Sequence, residues 1–499
     1  MIITGLFKGK DLLSDIRSSS FVTSLKQTKV PSLSPFFKMP VSRAAILSLL
    51  TAVTATTITT SEPSLSDIKA AAATTTPLSP VSDVKGVAFD RFYQIWLENV
   101  DYSSAAGDSN QQWLASKGIV LSNYYAAGHP SEPNYCAAAS GDNYGMDNDN
   151  FHQIPEDVYT VAHLLDTKGI SWAEYQEHIP YPGFQGFNYS NQETYANDYV
   201  RKHNPLMLFN SITNNDTATR QIKTFTDFTN DIKNKTLPQW AFITPNMTND
   251  AHDTNITYGS TWLRSFVSEL MEDSYVWNNT LMLLTFDETE DYFVRNRIFS
   301  VLLGGAVPDD LVGTTDDTVY THYSTIATVS ANWGLPSLGR WDCGANILEL
   351  VANKTGYTNY DVDASKLYIN ESLPGPLSVK DYSVYRSSWP VPTTNETCSA
   401  GHGILQKVID TFKGQTPTYN YTAPFPYDAT AGLDLGVSYT KNGKTYVSGV
   451  NSTKTTTGSG SSTTTSSSSS TTSKGAAAQL ASNVGGGLVA LLLTSLLAL

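Results

Sequence analysis

The chain has 499 residues, a formal net charge of −14 and an isoelectric point near 5.0. This acidic balance argues against nucleic acid or an anionic membrane surface as a binding partner. With 40% hydrophobic residues, the chain can bury a large core, as one big domain or as two ordinary ones. Its three cysteines are too few for a disulfide-based scaffold, and a single bridge between Cys343 and Cys398 would leave Cys136 unpaired.

The first 55 residues are predicted to be a targeting segment rather than part of the fold. Residues 39–55 combine an arginine, an apolar stretch and small residues at the spacing of a signal-peptidase site. Because this pattern begins at an internal methionine, residues 1–38 are interpreted as an extension before the signal peptide. We therefore expect a secreted protein. The alternative is a cytosolic protein with a chance apolar stretch.

The other end of the chain has the pattern of a glycosylphosphatidylinositol (GPI) attachment signal. Small residues at 473–477 precede a short spacer and about 16 mostly apolar residues, which are too few for a spanning helix. Residues 451–475 are interpreted as a Ser/Thr-rich, O-glycosylated stalk and residues 476–499 as the removed propeptide. Eleven N-x-S/T sequons agree with secretion. We expect a glycoprotein on the outer cell surface, with a lipid anchor as its only membrane contact and cell-wall glycan as a further partner.

Between these ends, the pattern of apolar runs predicts an α/β fold. Residues 56–84 are rich in Ala, Thr, Ser and Pro and are interpreted as a flexible leader, and residues 85–450 as one domain. The domain's short apolar runs lie at 92–97, 240–245, 281–286 and 298–305, and helix-like stretches lie at 161–168, 222–232 and 261–272. Continuous apolar strands separated by helices indicate a mostly parallel sheet that is covered on both faces.

Polar clusters directly follow three of these predicted strands. Glu98 and Asn99 follow the first, residues 246–253 follow the second, and Asp287 and Glu288 follow the third. Ligands bind outside the carboxyl ends of parallel strands, so the three clusters should meet at one edge of the sheet. Acids and amides near histidines suit a hard divalent cation bound by oxygen. The alternative is that these side chains only cap loops.

The segment AAGHPSEPNYCAAASGD at residues 126–142 predicts a short helix with a serine at its start. Pro133 suits the first turn of a helix that ends at Gly141, so Ser131 lies at or just before the helix N-terminus. Free N–H groups and the helix dipole favour anions there, and a hydroxyl beside a metal ion can attack a phosphate. His129 and Asn134 could face the same anion. The alternative is that Ser131 is only an N-cap.

Six motifs occur in order between residues 88 and 360: ENVDY, HPSEPNY, YVRKHNPL, ITPNMTNDAHDT, LLTFDE and THYSTIATVSANWGL. Together they resemble the phosphoesterase family of secreted fungal acid phosphatases, which has bacterial phospholipases C and acid phosphatases as relatives in the alkaline-phosphatase superfamily. The resemblance implies a three-layer α/β/α sandwich, metal-assisted hydrolysis of phosphate esters and a covalent phospho-enzyme step.

The same resemblance implies roles for individual residues. One divalent metal ion of unspecified identity would be held by Glu98, Asn99, Asp287 and Glu288. Asn134 would hold a phosphate oxygen next to the nucleophile Ser131. Candidates for protonating the leaving group, or for the place of a second metal, are His129, His252, Asp253 and His322. Candidates for receiving the phosphate charge are Arg201, Lys202 and His203.

The chain departs from the superfamily pattern in two places. The usual second-metal set, Asp-x-x-x-His, is not clean in NDAHDT, which favours one metal with acid–base help from histidines. The chain reads SEPNY where nucleotide pyrophosphatases carry T-x-P-N-H, and Ser140 also lies nearby as a competing nucleophile.

Three functions are compatible with the sequence. The preferred one is an acid phosphatase that hydrolyses small phosphate monoesters. A phospholipase C or phosphodiesterase could use the same site, and the stalk and anchor signal would also suit a non-catalytic cell-wall glycoprotein. The set of acids, amides, serine and histidines argues against the last, because a wall protein has no need to keep these groups together.

Overall fold

The computed structural model describes residues 60–380 and 389–450, which lie in a single unit of the chain. The predicted signal peptide, stalk and anchor signal therefore lie outside the described residues. In the two described ranges, no helix combines the length and the apolar character needed to cross a membrane.

The described helices and strands alternate along most of the chain. In chain order they are α1 (Leu65–Ala72), β1 (Arg91–Leu97), α2 (Tyr102–Gly107), α3 (Ser109–Ala115), β2 (Ile119–Tyr125), α4 (Ser131–Ser140), α5 (Val161–Asp166), β3 (Trp172–Gln176), β4 (Asn188–Tyr189), β5 (Tyr199–Val200), α6 (Asn210–Thr213), α7 (Asp216–Thr219), β6 (Ile222–Thr224), α8 (Phe225–Asn234), β7 (Trp240–Thr244), α9 (Ile256–Glu272), α10 (Ser274–Trp277), β8 (Thr280–Phe286), β9 (Arg297–Leu303), β10 (Thr314–Thr321), α11 (Tyr323–Trp333), α12 (Trp341–Gly344), α13 (Glu349–Thr355), β11 (Asp361–Val362), α14 (Gln406–Phe412), β12 (Ser438–Lys441) and β13 (Lys444–Val447).

Eight strands form the central sheet, in the order β10-β2-β9-β8-β1-β7-β3-β6. Every neighbouring pair is parallel except the two pairs that β9 makes with β2 and β8. This confirms the predicted α/β fold with a mostly parallel sheet. The four predicted apolar runs are β1, β7, β8 and β9, and their residues are buried almost throughout because helices cover the sheet.

Aromatic contacts show that helices pack on both faces of the sheet. Trp96 of β1 contacts Tyr135 of α4, with the ring centroids 5.0 Å apart. Ile95 points to the opposite face, and the parallel register through β7 places Tyr175 of β3 on the face of Ile95. There Tyr175 contacts Phe228 of α8 at 4.8 Å. The domain is therefore the expected three-layer α/β/α sandwich, with a helix layer on either side of the sheet.

The leader at 56–84 differs from the flexible segment that its composition indicated, over the part that the structure describes. Residues 65–72 form α1, which buries Ile68 against the core. Ser82 donates a hydrogen bond to Gln239 Oε1 at 2.6 Å, and Glu62 Oε2 accepts one from the Ser190 hydroxyl at 2.6 Å. These long-range contacts fix the segment to the domain, although its composition by itself favours no regular structure.

The helix predicted over 222–232 begins three residues later than expected. Residues 222–224 form β6, which pairs in parallel with β3. The Thr224 side chain accepts from the backbone N–H of Asp227, and the Asp227 carboxylate accepts from the backbone N–H of Thr224, which is a capping box. This reciprocal cap starts α8 at Phe225 and leaves the preceding residues free to join the sheet.

Residues 361–380 and 389–450 pack onto the sandwich. Cys343 and Cys398 form the predicted disulfide, and Cys136 is free and buried in α4. The Tyr421 hydroxyl donates to Asp142 Oδ2 at 2.9 Å, just beyond the end of α4. This packing lets residues far from the central sheet support the edge where α4 lies.

Candidate active site

The carboxyl ends of five sheet strands lead into one cluster of buried polar residues. Glu98 and Asn99 follow β1, Asp287 and Glu288 follow β8, and the loop at 245–253 follows β7. His322 follows β10, and α4 begins shortly after β2. Because these strands are mutually parallel, their exits share one edge of the sheet. The predicted meeting of the polar clusters is confirmed.

Ser131 is the first residue of α4, and its hydroxyl faces a carboxylate. The Oγ atom donates a hydrogen bond to Glu98 Oε2 at 3.0 Å, and the side chain is buried. One turn further along α4, the Tyr135 hydroxyl donates to Glu98 Oε1. Ser131 thus lies at the N-terminus of a buried ten-residue helix, where the dipole favours negative charge.

Ser140, the competing serine, lies at the opposite end of α4. Its hydroxyl contacts the carbonyl oxygens of Cys136 and Asp142, each at 3.0 Å, and accepts from the Tyr144 hydroxyl at 3.0 Å. These contacts give Ser140 a part in closing the helix C-terminus, where the dipole disfavours a phosphate.

Glu288 is contacted by four polar side chains from loops and from α4. His129 Nδ1 lies 2.5 Å from Glu288 Oε2, and Asn99 Nδ2 donates to Oε1 at 3.1 Å. The Tyr292 hydroxyl also donates to Oε1, at 3.3 Å, and Asn134 Nδ2 approaches Oε2 at 3.5 Å. The carboxylate therefore has a fixed orientation in the buried cluster.

Asn134 chiefly organises the loop that precedes Ser131. Its Oδ1 accepts from the backbone N–H of Ala127 at 2.7 Å, and its Nδ2 donates to the carbonyls of Gly128 and Pro130. These bonds fix the backbone next to His129 and Ser131 and thereby hold both side chains in the cluster. The predicted contact of Asn134 with a phosphate oxygen would need the same Nδ2 group that already donates to these two carbonyls.

Several buried polar atoms in the cluster lack a hydrogen-bond partner among the described residues. Both carboxylate oxygens of Asp287 are in this state, as are Asn99 Oδ1, Asp250 Oδ2 and His129 Nε2. Burial, followed by the charges of Glu98 and Glu288, raises the pKa of Asp287 well above its ordinary value. Buried oxygen acceptors without donors are costly unless a cation completes them. The donor set therefore fits a hard divalent metal ion.

His203 and Asp250 extend the cluster on the side of Glu98. His203 Nε2 lies 3.2 Å from Glu98 Oε1 and Nδ1 lies 3.5 Å from Asp250 Oδ2, and all three side chains are buried. Burial raises the pKa of Asp250 to about 7. The three residues are close enough to hold one metal ion together. Sequence reasoning named Glu98 and His203 but missed Asp250, although its place among the polar residues after β7 was a usable signal.

Lys202 and His252 lie at the rim of the cluster. Lys202 Nζ donates to Asp149 Oδ2 at 3.0 Å and lies 3.5 Å from His252 Nε2. The other ring nitrogen of His252 lies 2.8 Å from Asp253 Oδ1. The His252 ring is partly exposed and lies 5.9 Å from the His203 ring. A carboxylate-oriented histidine at a rim is well placed to exchange protons with a bound substrate.

Arg201 and His322 make contacts that suit support of the site. The Arg201 guanidinium donates to the carbonyls of His152 and Met207, and His322 Nε2 bonds the backbone carbonyl of Asp287 at 2.7 Å. Burial lowers the pKa of His322 to about 3, so this ring stays neutral. The expected roles of Arg201 at the phosphate and of His322 at the leaving group stay predictions, and the contacts seen here tie both side chains to the backbone.

Comparison with known proteins identifies the family. The family model described as the phosphoesterase family matches residues 101–336. An acid phosphatase of Aspergillus fumigatus is 66% identical over 362 residues, which cover 72% of this chain and 81% of that protein. The chain belongs to the phosphoesterase family. It is accordingly a phosphoric ester hydrolase.

A second relative of this phosphoesterase is an acid phosphatase of Aspergillus niger, which is 58% identical over 72% of this chain and 87% of that protein. Among solved structures, a protein in the alkaline phosphatase superfamily from Vibrio parahaemolyticus aligns with a TM-score of 0.34 and 12% identity, covering 53% of this chain and 73% of that chain. The family assignment rests on the sequence relatives alone.

Proposed function

We propose that this phosphoesterase is an acid phosphatase that hydrolyses phosphate monoesters with Ser131 as its nucleophile. The observation that carries the proposal is the Ser131 hydroxyl, which lies at the start of a buried helix and donates to Glu98 within a cluster of carboxylates. The names of the two Aspergillus relatives support the reaction class.

A divalent cation is part of this proposal, with Glu98, Asn99, Asp287 and Glu288 as its ligands. The unpartnered oxygens of Asp287 and Asn99 are the reason for this assignment. Glu98 also belongs to the group that it forms with His203 and Asp250, so a cation there would share this carboxylate. When bound, the cation would offset the negative charge of the phosphate and favour the ionised serine.

The chain's own residues account for the remaining chemistry. Ser131 Oγ forms a bond to phosphorus while the bond between phosphorus and the ester oxygen breaks, and the hydroxyl proton is released to solvent as the hydrogen bond to Glu98 Oε2 is given up. The N-terminus of α4 and the ammonium group of Lys202 stabilise phosphate charge. His252 gives its proton to the departing alkoxide, and Asp253 keeps the ring oriented. Water then attacks the phosphoserine and gives one proton to His252, the bond between phosphorus and Ser131 Oγ breaks, and phosphate leaves as Oγ regains a proton from solvent.

Trapping the phospho-enzyme tests this function. Rapid acid quenching during hydrolysis of p-nitrophenyl phosphate should leave one phosphate on the chain, and peptide mass spectrometry should find it on Ser131. The matched control is Ser140→Ala, which should still form the adduct. Turnover without any adduct, or an adduct on another residue, would reject Ser131 as the nucleophile. Faster hydrolysis of bis(p-nitrophenyl) phosphate would instead indicate a phosphodiesterase.

We also propose that the enzyme is secreted, glycosylated and held outside the cell by a GPI anchor. The support is the signal-peptide pattern at 39–55, the sequons, and the tail pattern after residue 473. Phosphatidylinositol-specific phospholipase C should release the enzyme from intact cells. A mature protein whose mass includes residues 476–499 would contradict the anchor.

A further inference from the structure

A short loop after Glu288 carries an aromatic side chain into the candidate active site. The Tyr292 ring stacks on His129, with the centroids 3.9 Å apart and the planes 23° from parallel. Its hydroxyl donates to Glu288 Oε1 at 3.3 Å. The residue is 45% exposed, so part of the tyrosine faces solvent. Tyr292 therefore forms a wall between the carboxylate cluster and solvent.

The next residue, Phe293, is exposed to an unusual degree. It is 94% accessible to solvent, and Val294 after it is 41% accessible. A phenylalanine ring left in water gains no burial energy for the fold, and Tyr292, Phe293 and Val294 together form a contiguous exposed apolar run of the kind that marks binding surfaces. The Phe293 side chain is thus available to a ligand that also reaches Tyr292.

Hydrogen bonds fix this aromatic loop, which we define as residues 289–296, to the rest of the domain. Asn370 Nδ2 donates to the backbone carbonyls of Tyr292 and Val294, and Asn296 Nδ2 donates to the carbonyls of Gly128 and Ile369. The loop is therefore anchored at its middle and at its end. A surface that is ordered before binding loses less entropy when a ligand arrives.

We propose that Tyr292 and Phe293 form the subsite for the organic part of the substrate and select phosphate esters of aromatic alcohols. This inference rests on the proposed phosphatase function. The phosphate would lie near Ser131 and Glu288, and Tyr292 touches Glu288, so an organic group that extends from the phosphate on this side would meet the exposed part of the tyrosine. Flat rings gain most there, because aromatic pairs stack or meet edge to face.

A membrane surface is the other occupant that an exposed phenylalanine can indicate, and the charges around the loop argue against it. Glu290 and Asp291 are exposed immediately before the two rings. Acidic residues at that position are repelled by anionic lipid headgroups. The chain as a whole is also acidic, with a net charge of −14.

The experiment compares kcat/KM of the full-length enzyme for 1-naphthyl phosphate and for glycerol 2-phosphate. The wild-type ratio should favour the aromatic ester, and Phe293→Ala should lower this ratio by about tenfold, the size expected for the loss of one aromatic contact. Phe293→Tyr, which keeps an aromatic ring, should retain the wild-type ratio. The control is Val87→Ala, which truncates an exposed apolar residue before β1, about 20 Å away along the strand, and should leave the ratio unchanged.

The following outcomes would contradict the proposed subsite. A ratio that is the same in wild type and Phe293→Ala rejects the role of the ring. Loss of binding to phosphatidylcholine vesicles in Phe293→Ala, with the ratio unchanged, assigns the ring to a lipid surface instead. If the wild-type enzyme hydrolyses neither ester with divalent cation supplied, the proposed function itself fails, and this result is separate from a failure of the subsite.

Discussion

Two regions of this protein bury charged side chains, and they differ in whether those charges are satisfied. At the Lys223 site, Asp231 Oδ2 accepts from Lys223 Nζ at 2.5 Å and from the Tyr175 hydroxyl at 2.7 Å, while Oδ1 accepts from Thr236. At the candidate active site, which we call the strand-exit site, neither carboxylate oxygen of the buried Asp287 has a hydrogen-bond partner among the residues that the structure describes.

The difference separates a structural cluster from a ligand site. Fully paired polar groups repay the cost of their desolvation inside the protein and hold β3, β6 and α8 together. Unpaired carboxylates lower the stability of the folded chain until something external binds them. Stability should therefore depend on the Lys223 site, and activity and ligand binding on the strand-exit site.

The largest effect is expected at the centre of the strand-exit site. Ser131→Ala should lower turnover by roughly 10⁴-fold or more, because the nucleophile is removed. The change in unfolding free energy should be about 1 kcal/mol, the size expected for the loss of the hydrogen bond from the hydroxyl to Glu98. Steady-state kinetics and thermal melts of the same preparation measure both. Near wild-type turnover with a lowered melting temperature would make Ser131 a structural residue.

Asp287→Asn should lower turnover by roughly 10³-fold, because a hard cation loses a charged ligand and several kcal/mol of transition-state stabilisation go with it. The cation-free variant should be at least as stable as the wild type, because repulsion from Glu98 and Glu288 is relieved. A saturating cation, at 100 times its Kd, should stabilise the wild type by about 2.7 kcal/mol and the variant much less. Calorimetry with and without chelator checks this, and equal cation stabilisation in both proteins would remove Asp287 from the ligand set.

His252→Gln should lower turnover of glycerol 2-phosphate by roughly 10²-fold, because its alkoxide needs a proton to leave. Turnover of p-nitrophenyl phosphate should change far less, since p-nitrophenolate is stable without one. His178→Gln is the matched control, because His178 also pairs with a carboxylate, Asp198, at 2.7 Å. Equal losses on both substrates would assign His252 to binding rather than to proton transfer.

At the Lys223 site, a substitution should lower stability strongly and turnover only slightly, the reverse of the strand-exit site. Asp231→Asn should cost about 3 kcal/mol of unfolding free energy, because the buried ammonium loses its counter-charge. Turnover of the folded fraction should stay close to wild type. Urea unfolding and active-site-normalised kinetics measure the two quantities. Adding Lys223→Met to the variant should recover most of the stability, and failure to do so would show that the hydrogen bonds to Tyr175 and Thr236 matter more than the charge pair.

The smallest effect concerns a half-exposed histidine, His178, which pairs with the buried Asp198. The hydrogen bond with Asp198 raises the pKa of His178 above 6.5, although burial opposes this. A raised folded-state pKa contributes stability that is fully present below the unfolded value and is lost as pH rises through the folded value. The stability difference between wild type and His178→Gln should therefore shrink from about pH 5.5 to about pH 8.5. Urea unfolding at several pH values checks this, and a constant difference would contradict the pairing.

The sheet and the chemical content of its edge could be predicted from the sequence. Unbroken apolar runs such as 92–97 and 281–286 can be buried on both faces only in a covered sheet, and the polar residues directly after them must then lie at its edge. The proline and glycine that bracket α4 place Ser131 at its N-terminus for local reasons of backbone geometry. These features depend on neighbours in the chain, so the sequence by itself determined them.

Contacts between distant segments could not be predicted in this way. Asp250 joins Glu98 and His203 from another loop, and Arg201 turns to the carbonyls of His152 and Met207. Nothing adjacent in the sequence specifies such partners, because each depends on how loops of several strands meet. Only the tertiary structure decided them. It alone also brought Asn370 to the loop that carries Tyr292, because a side-chain amide finds its carbonyl partners only after the two segments have packed.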